Sequence, residues 1–368
     1  MNRDLRIDTL RGILLVIMTI DHLGGWLARI TSETLGYVSA LEGFIFLSAF
    51  VFAMVYVRYV NDPRMMWRKS LSRALVIYRY HLILLATIPL LLWLSPEYRL
   101  SLANWINPYL QHPLYYAAYA LMLLHQPVYM DILPIYFVFV VLSPLLLLAF
   151  RRGAGPAVIL ISVLIWALSQ SINPVKFLAG TACDHCRYGF LNLFAWQLIW
   201  VSGLYLGYLR QSGKPLLTAI GRPWAGALLI AAAAVLFMTR HQFIDFGLRI
   251  GPWIDRENLG VLRILNFFVV VTLIGLLIQR WPRTAGISWL SFIGRYSLQV
   301  FAFHVFLSYL ILPYRSVIAN AAGPIGYSLF TLLVVASLTL PAWIYHCYQE
   351  RQAEGEARSF VRIRKLPW

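Results

Sequence analysis

The chain has 368 residues and a formal net charge of +16; 60% of its residues are hydrophobic and only 12% are charged. A soluble domain runs nearer half apolar and a quarter charged, and no soluble interior hides this much apolar surface, so the bilayer is the expected solvent. The basic residues sit at the ends of apolar runs, where membrane topology places them, so the positive charge does not argue for a nucleic-acid partner. Three cysteines are too few for a disulfide framework, and no repeat or linker divides the chain. One transmembrane domain over 1–368, with a short basic cytoplasmic tail at 348–368, is the simplest organisation.

A helix needs about 20 apolar residues to cross the hydrocarbon core. The predicted spans are 11–30, 37–57, 75–94, 129–150, 156–173, 190–209, 223–239, 259–279, 286–312 and 324–347. The fold class is therefore all-α: a polytopic protein of about ten transmembrane helices. With the N-terminus inside, 22 of the 31 basic residues fall on one side. That side should be cytoplasmic, so both termini are expected inside. The run 114–124 is too short to cross and is expected to lie at the interface.

The first span lacks a small-residue cleavage site and carries Asp21 and His22, so it is not expected to be a cleaved leader. Its inner end holds Arg6, Asp8 and Arg11, with Asp8 and Arg11 at pairing distance i, i+3 or serving as a plain anchor. Gly24-Gly25 follows the histidine, a place where another helix or a ligand can approach closely or where the helix end is simply loosened. Glu42 lies near the outer end of the second span. The connection to the third span, with Arg58, Arg64, Arg68, Lys69, Arg73 and Arg79, is the densest basic loop on the inner side. The outer stretch 95–127 carries Trp105, Tyr109, Tyr115, Tyr116 and Tyr119, an aromatic belt or a platform for sugar rings. Asp131 opens the fourth span. Cys183-Asp184-His185-Cys186 offers at most three zinc ligands, so a disulfide is the expected use and no metal is expected. Trp196 and Gln197 lie in the sixth span and His304 in the ninth.

Ionisable groups inside a span cost about 2.5 kcal/mol or more each on insertion scales, so each is a functional candidate. At 1.5 Å per residue, His22 and His304 lie roughly 12 Å below the outer end, Gln197 roughly 10 Å and Glu42 roughly 8 Å. With Asp21 and Asp131 they form one layer in the outer half. Each also has a structural reading. Glu42 can be a satisfied interface carboxylate, Asp131 a helix cap, and His304 or Gln197 a hydrogen-bonding link between helices. No Lys or Arg falls in that layer; Arg263 lies near the outer end of its span.

The motif Arg6-x-Asp8-x-x-Arg11-Gly12, then an apolar run and Asp21-His22, resembles the opening of acyltransferase family 3 and its transmembrane relatives. It is most similar to the OpgC family, which transfers succinyl groups to osmoregulated periplasmic glucans. Four later segments agree in order: Glu42-Gly-Phe-Ile-Phe-Leu-Ser48, Asp131-Ile-Leu-Pro-Ile-Tyr136, Asn192-Leu-Phe-Ala-Trp-Gln197, and Ser291 through His304. The resemblance implies a multi-pass protein of the bacterial inner membrane, with acyl-CoA (succinyl-CoA or acetyl-CoA) inside and a carbohydrate acceptor outside. It implies that His22 is the catalytic histidine.

The chemistry asks for such residues. Acyl transfer from a thioester to a hydroxyl needs a base for the hydroxyl proton, and histidine suits that. A carboxylate, Asp21 or Glu42, is expected to steady the imidazole, with Asp131 and His304 beside it. The alternative is that His22 itself accepts the acyl group. Arg11, Arg58, Arg68, Lys69 and Arg73 are the expected contacts of the CoA phosphates. Gln197, Trp196 and Trp105 are the expected contacts of the carbohydrate. A rival reading is a transporter or flippase of a glycan or lipid-linked saccharide, which mid-depth polar residues also fit.

Overall fold

The computed structural model describes residues 4–174, 176–177, 189–213, 223–244, 247, 250–280 and 286–364, with the backbone alone described at 103–110, 223 and 355–364. Among the described residues every regular element is a helix. The chain opens with α1 (Leu5–Leu23), α2 (Gly25–Thr31), α3 (Ala40–Tyr56) and α4 (Pro63–Leu94). Then come α5 (Pro96–Gln111), α6 (Pro113–Leu121), α7 (Ile132–Arg151), α8 (Gly155–Ser169) and α9 (Leu193–Gln211). The last third holds α10 (Pro223–Arg240), α11 (Val261–Arg280), α12 (Ser288–Arg295), α13 (Ser297–Ile311), α14 (Arg315–Ser337) and α15 (Thr339–Arg364).

Local chemistry sets the helix starts. The Asp4 carboxylate accepts the backbone N–H of Arg6 at 3.1 Å and its guanidinium at 2.9 Å, which holds the Asp4 carboxyl below its usual pKa. Asp62 and Asn192 cap α4 and α9 in the same way, accepting Met65 N–H at 3.0 Å and Phe194 N–H at 3.1 Å. Pro63, Pro96 and Pro113 stand at first-turn positions, where a missing N–H costs nothing.

Among the described residues, five stretches are long and apolar enough to cross a membrane: Ala40–Tyr59, Pro63–Leu94, Ile132–Arg151, Val261–Arg280 and Ser297–Glu354. Two shorter apolar helices, Gly155–Ser169 and Trp224–Arg240, accompany them. The outward faces keep large apolar side chains in the open, among them Trp93, Leu160, Leu228, Ile325 and Leu333. Such a surface calls for lipid around it. Helix covers most of each predicted span, with ends such as 37–39, 129–131 and 190–192 left outside the helices, and three departures are informative. The first span breaks at Gly24 into α1 and α2, and the ninth breaks at Tyr296 into α12 and α13. The expected basic loop before the third span is instead the start of α4, 32 residues long. At about 1.5 Å per residue that helix exceeds the hydrocarbon thickness, so its arginine-rich first turns project beyond it. The run at 114–124 forms only the nine-residue α6, too short to cross.

Glycines let the central helices touch backbone to backbone. A Cβ at Gly203 or Gly207 of α9 would fall 2.4 Å and 2.3 Å from the carbonyl oxygens of Phe46 and Phe50 on α3. Their spacing is the small-xxx-small pattern of close-packed membrane helices. Gly12 of α1 lies against the Leu290 carbonyl on α12, and Gly294 of α12 against the Asp8 carbonyl on α1. Together α1, α3, α9 and α12 form the rigid frame on which the polar site is built.

Candidate functional site

The polar layer converges in part. A cavity of about 520 Å³ opens between α1, the turn before α3, the 126–132 segment and residues 189–191. Asp21, His22 and Asp131 line it together, with Gln126, Tyr129 and Arg256. Asp131 occupies the N-cap position of α7, yet its side chain makes no capping hydrogen bond. The Asp21 carboxylate accepts from the Thr31 hydroxyl at 2.7 Å.

His22 sits inside a stack of rings. Tyr129 lies 4.4 Å from it, centroid to centroid, and His304 lies 5.1 Å away, both planes tilted by 29°. Phe301 meets the edge of His304 at 4.9 Å. Nδ1 of His22 is buried without a hydrogen-bond partner, so Nε2 is the nitrogen available to the cavity. Neither Asp21 nor Glu42 hydrogen-bonds the imidazole. Aromatic packing, in place of the expected carboxylate, fixes the ring.

Glu42 is fully buried but committed elsewhere. It accepts from the backbone N–H of Ser39 at 3.0 Å, from the Ser39 hydroxyl, and from Arg263. Arg263 also pairs with Glu33 and donates through Nε to the Ile254 carbonyl at 3.1 Å. Glu33 is also met by Arg240 at 2.9 Å and by Arg256 at 3.6 Å. Burial alone would push the Glu33 carboxyl up, but Arg263, Arg256 and Arg240 reverse this and hold it below the ordinary range. The sequence placed Arg263 merely near the outer end of its span. The structure buries it, 3% exposed, as the pivot of a network that ties the α2–α3 turn to α11.

The other candidates separate. Gln197 exchanges hydrogen bonds with Ser162, donating to its carbonyl and accepting from its hydroxyl at 2.7 Å each, and so joins α9 to α8. Trp196 is fully buried and donates to the Glu257 carbonyl at 3.2 Å. Neither lines the cavity. The Trp105 side chain, Cys183 and Cys186 lie outside the described residues. Of the basic set, Arg58 covers the ring of Tyr59 at 4.7 Å, and Arg68 and Lys69 are exposed on α4. Arg11 and Arg73 instead share a narrow crevice with Phe44, Ile132, Ser297 and Phe301. Arg11 is buried and donates to the Ser297 hydroxyl. Ile132 lines both this crevice and the larger cavity, and Phe301 is the ring against His304.

The Gly24-Gly25 step serves a close approach. Both have positive φ, 72° and 81°. A Cβ at Gly24 would lie 1.6 Å from the Arg315 guanidinium, and one at Gly25 would lie 2.8 Å from the Tyr327 ring. Tyr327 donates to the Leu23 carbonyl at 2.7 Å, clamping the end of α1 beside His22.

Sequence reasoning missed Gln126, Tyr129 and Arg256. Gln126 and Arg256 lie between the predicted spans, where polar residues attract less notice, and Tyr129 is the first residue of the predicted 129–150 span but sits in the connection before α7 in the structure. The only signal was proximity of Gln126 and Tyr129 to the Asp131 motif.

A helical framework with apolar outward faces around a cavity of ionisable groups defines a helical membrane protein with an internal polar site. Within that class the chain belongs to the OpgC family: the family described as OpgC protein matches residues 3–350, nearly its whole length. No curated protein and no solved structure matches it.

Proposed function

We propose that the protein is a membrane-bound O-acyltransferase, related to acyltransferase family 3, that moves a succinyl group from cytoplasmic acyl-CoA to a hydroxyl of a periplasmic glucan. Membership of the OpgC family suggests a glucan-modifying transferase. The observation that carries the mechanism is the placement of His22, with a free nitrogen, on the wall of a cavity it shares with Asp21, Asp131, Gln126 and Arg256.

The acceptor hydroxyl gives its proton to Nε2 of His22 as its oxygen attacks the thioester carbonyl. The C–S bond then breaks, and the imidazolium returns the proton to the departing thiolate of CoA. Asp21 and Asp131 offset the positive charge that develops on the ring, and both are acceptors for sugar hydroxyls. Arg256 and Gln126 are the cavity's donors for the oxygen that becomes negative in the tetrahedral intermediate. Arg11 and Arg73 meet the CoA phosphates at the inner end of the crevice. The Ile132–Phe301 wall guides the thin pantetheine arm from there to the histidines.

In this reading all ten predicted spans cross the bacterial inner membrane as a single domain, with both termini cytoplasmic and the end of α15 as a basic tail. The bulky acceptor enters from the outer side and the donor from the inner side. The test is to supply membranes containing the protein with succinyl-CoA or acetyl-CoA and neutral glucan. Succinylated, negatively charged glucan supports the assignment. Transfer to a lipid or another polysaccharide alone would overturn the acceptor, and no transfer from either donor would overturn the reaction.

A further inference from the structure

The 122–131 connection between α6 and α7 carries two non-glycine residues at positive φ, Leu123 at 63° and Tyr129 at 64°. For a bulky aromatic residue that conformation is costly, and it persists only where the surroundings hold it. They do so here. The Tyr309 hydroxyl on α13 donates to the carbonyl of Val128, next to Tyr129. The Tyr309 ring also meets the Tyr129 ring edge to face at 6.4 Å. On the other side, Gln126 donates to the Leu123 carbonyl at 3.1 Å, closing the turn. The strained backbone therefore delivers one thing: the Tyr129 ring, pressed on His22 at 4.4 Å and forming part of the cavity wall. Among the described residues none hydrogen-bonds the His22 ring to set its orientation. The stack of Tyr129, His22 and His304 is what sets it.

We infer that Tyr129 is a positioning residue for His22: its ring, held in a left-handed backbone conformation by Tyr309, fixes the imidazole plane so that Nε2 meets the acceptor hydroxyl. This rests on the reading of His22 as the reacting imidazole. The aromatic face does the work, and the phenol hydroxyl does not. His304 supplies the opposite wall of the stack. A misplacement of about 1 Å in a reacting group can cost roughly 10²-fold in rate, so loss of one wall should be felt in turnover.

Three variants test this in the purified full-length protein: Tyr129→Phe, Tyr129→Leu and Tyr129→Gly. Glycine adopts this φ freely, so Tyr129→Gly removes the ring while relieving the backbone. The inference expects Tyr129→Phe to keep kcat within about threefold of wild type. It expects Tyr129→Leu and Tyr129→Gly to lose about tenfold or more in kcat with little change in the donor KM, the signature of an interaction needed after binding. Tyr129→Gly gives up ring packing while relieving the backbone, so thermal stability and donor binding are measured alongside. A cooperatively melting variant that binds the donor with wild-type affinity separates loss of positioning from loss of fold. Tyr129→Phe as damaged as Tyr129→Leu would overturn the inference in favour of the hydroxyl. Full turnover in Tyr129→Gly would overturn it outright. Failure of the underlying reading looks different: full turnover in His22→Ala removes the imidazole from the reaction whatever Tyr129 does.

Discussion

Replacing Arg263 by Met tests whether the buried Arg263–Glu42 pair is part of what holds the fold together. Arg263 is 3% exposed and joins Glu33 to Glu42. Glu33 would keep Arg240 at 2.9 Å and Arg256 at 3.6 Å after the change. Glu42, with no exposed surface, would keep only the Ser39 backbone N–H and hydroxyl and would become a buried carboxylate without a cation. Breaking a buried pair by removing one partner costs about 3–5 kcal/mol, a large part of a total stability of about 5–15 kcal/mol. Glu42→Gln alone should cost less, about 1–3 kcal/mol, because Arg263 keeps Glu33. The double variant removes both charges, so its loss should fall below the sum of the singles by about 1.5 kcal/mol or more. Unfolding of the detergent-solubilised protein, followed by tryptophan fluorescence, measures all three. Simple additivity, or a loss under about 1 kcal/mol for Arg263→Met, would refute the view that this network holds the α2–α3 turn on α11.

Gly207→Ala should destabilise the protein even though alanine is the better helix former, because its Cβ would meet the Phe50 carbonyl at 2.3 Å; Gly226→Ala on α10, with nothing within 4 Å, should be neutral or stabilising in the same melt. The depressed pKa of Glu33 means that its contribution is complete above its ordinary value of 4.5 and drains away as pH falls towards the lower folded value. The melting temperature should therefore fall with acidification below about pH 4.5, and Glu33→Gln should flatten that limb. Arg73→Gln should raise the donor KM with a smaller effect on kcat, as expected for lost ground-state binding of phosphates, whereas Arg58→Gln, whose guanidinium rests on Tyr59, should change neither.

The helical class was legible because apolar runs of span length leave no other fold, and α3, α7 and α11 lie close to where hydropathy put them. The breaks were less so. Gly24 and Tyr296 interrupt helices in the middle of apolar sequence, and only the glycine gave a local signal. Depth along a helix follows from its constant rise, which is why His22 and His304 were expected at one level, and they stack. Direction around the helix depends on which neighbours each face meets, and the rise says nothing of that. Glu42 and Gln197 share that level yet face Arg263 and Ser162 instead of the cavity. The residues that complete the site, Gln126, Tyr129 and Arg256, come from connections, whose path depends on tertiary packing and not on periodicity. The same limit applied to the basic cluster: composition marked five candidates, and only packing singled out Arg11 and Arg73 beside the crevice.

The central claim is that His22 carries out acyl transfer, and the most direct measurement is single-turnover transfer of a radiolabelled acyl group from CoA to glucan by purified wild type and His22→Ala, with donor binding measured in parallel. The account predicts that His22→Ala binds acyl-CoA with unchanged affinity and melts at the wild-type temperature, yet loses transfer by about 10²-fold or more, the scale of general acid–base catalysis. Transfer at the wild-type rate by a folded, donor-binding His22→Ala would contradict it.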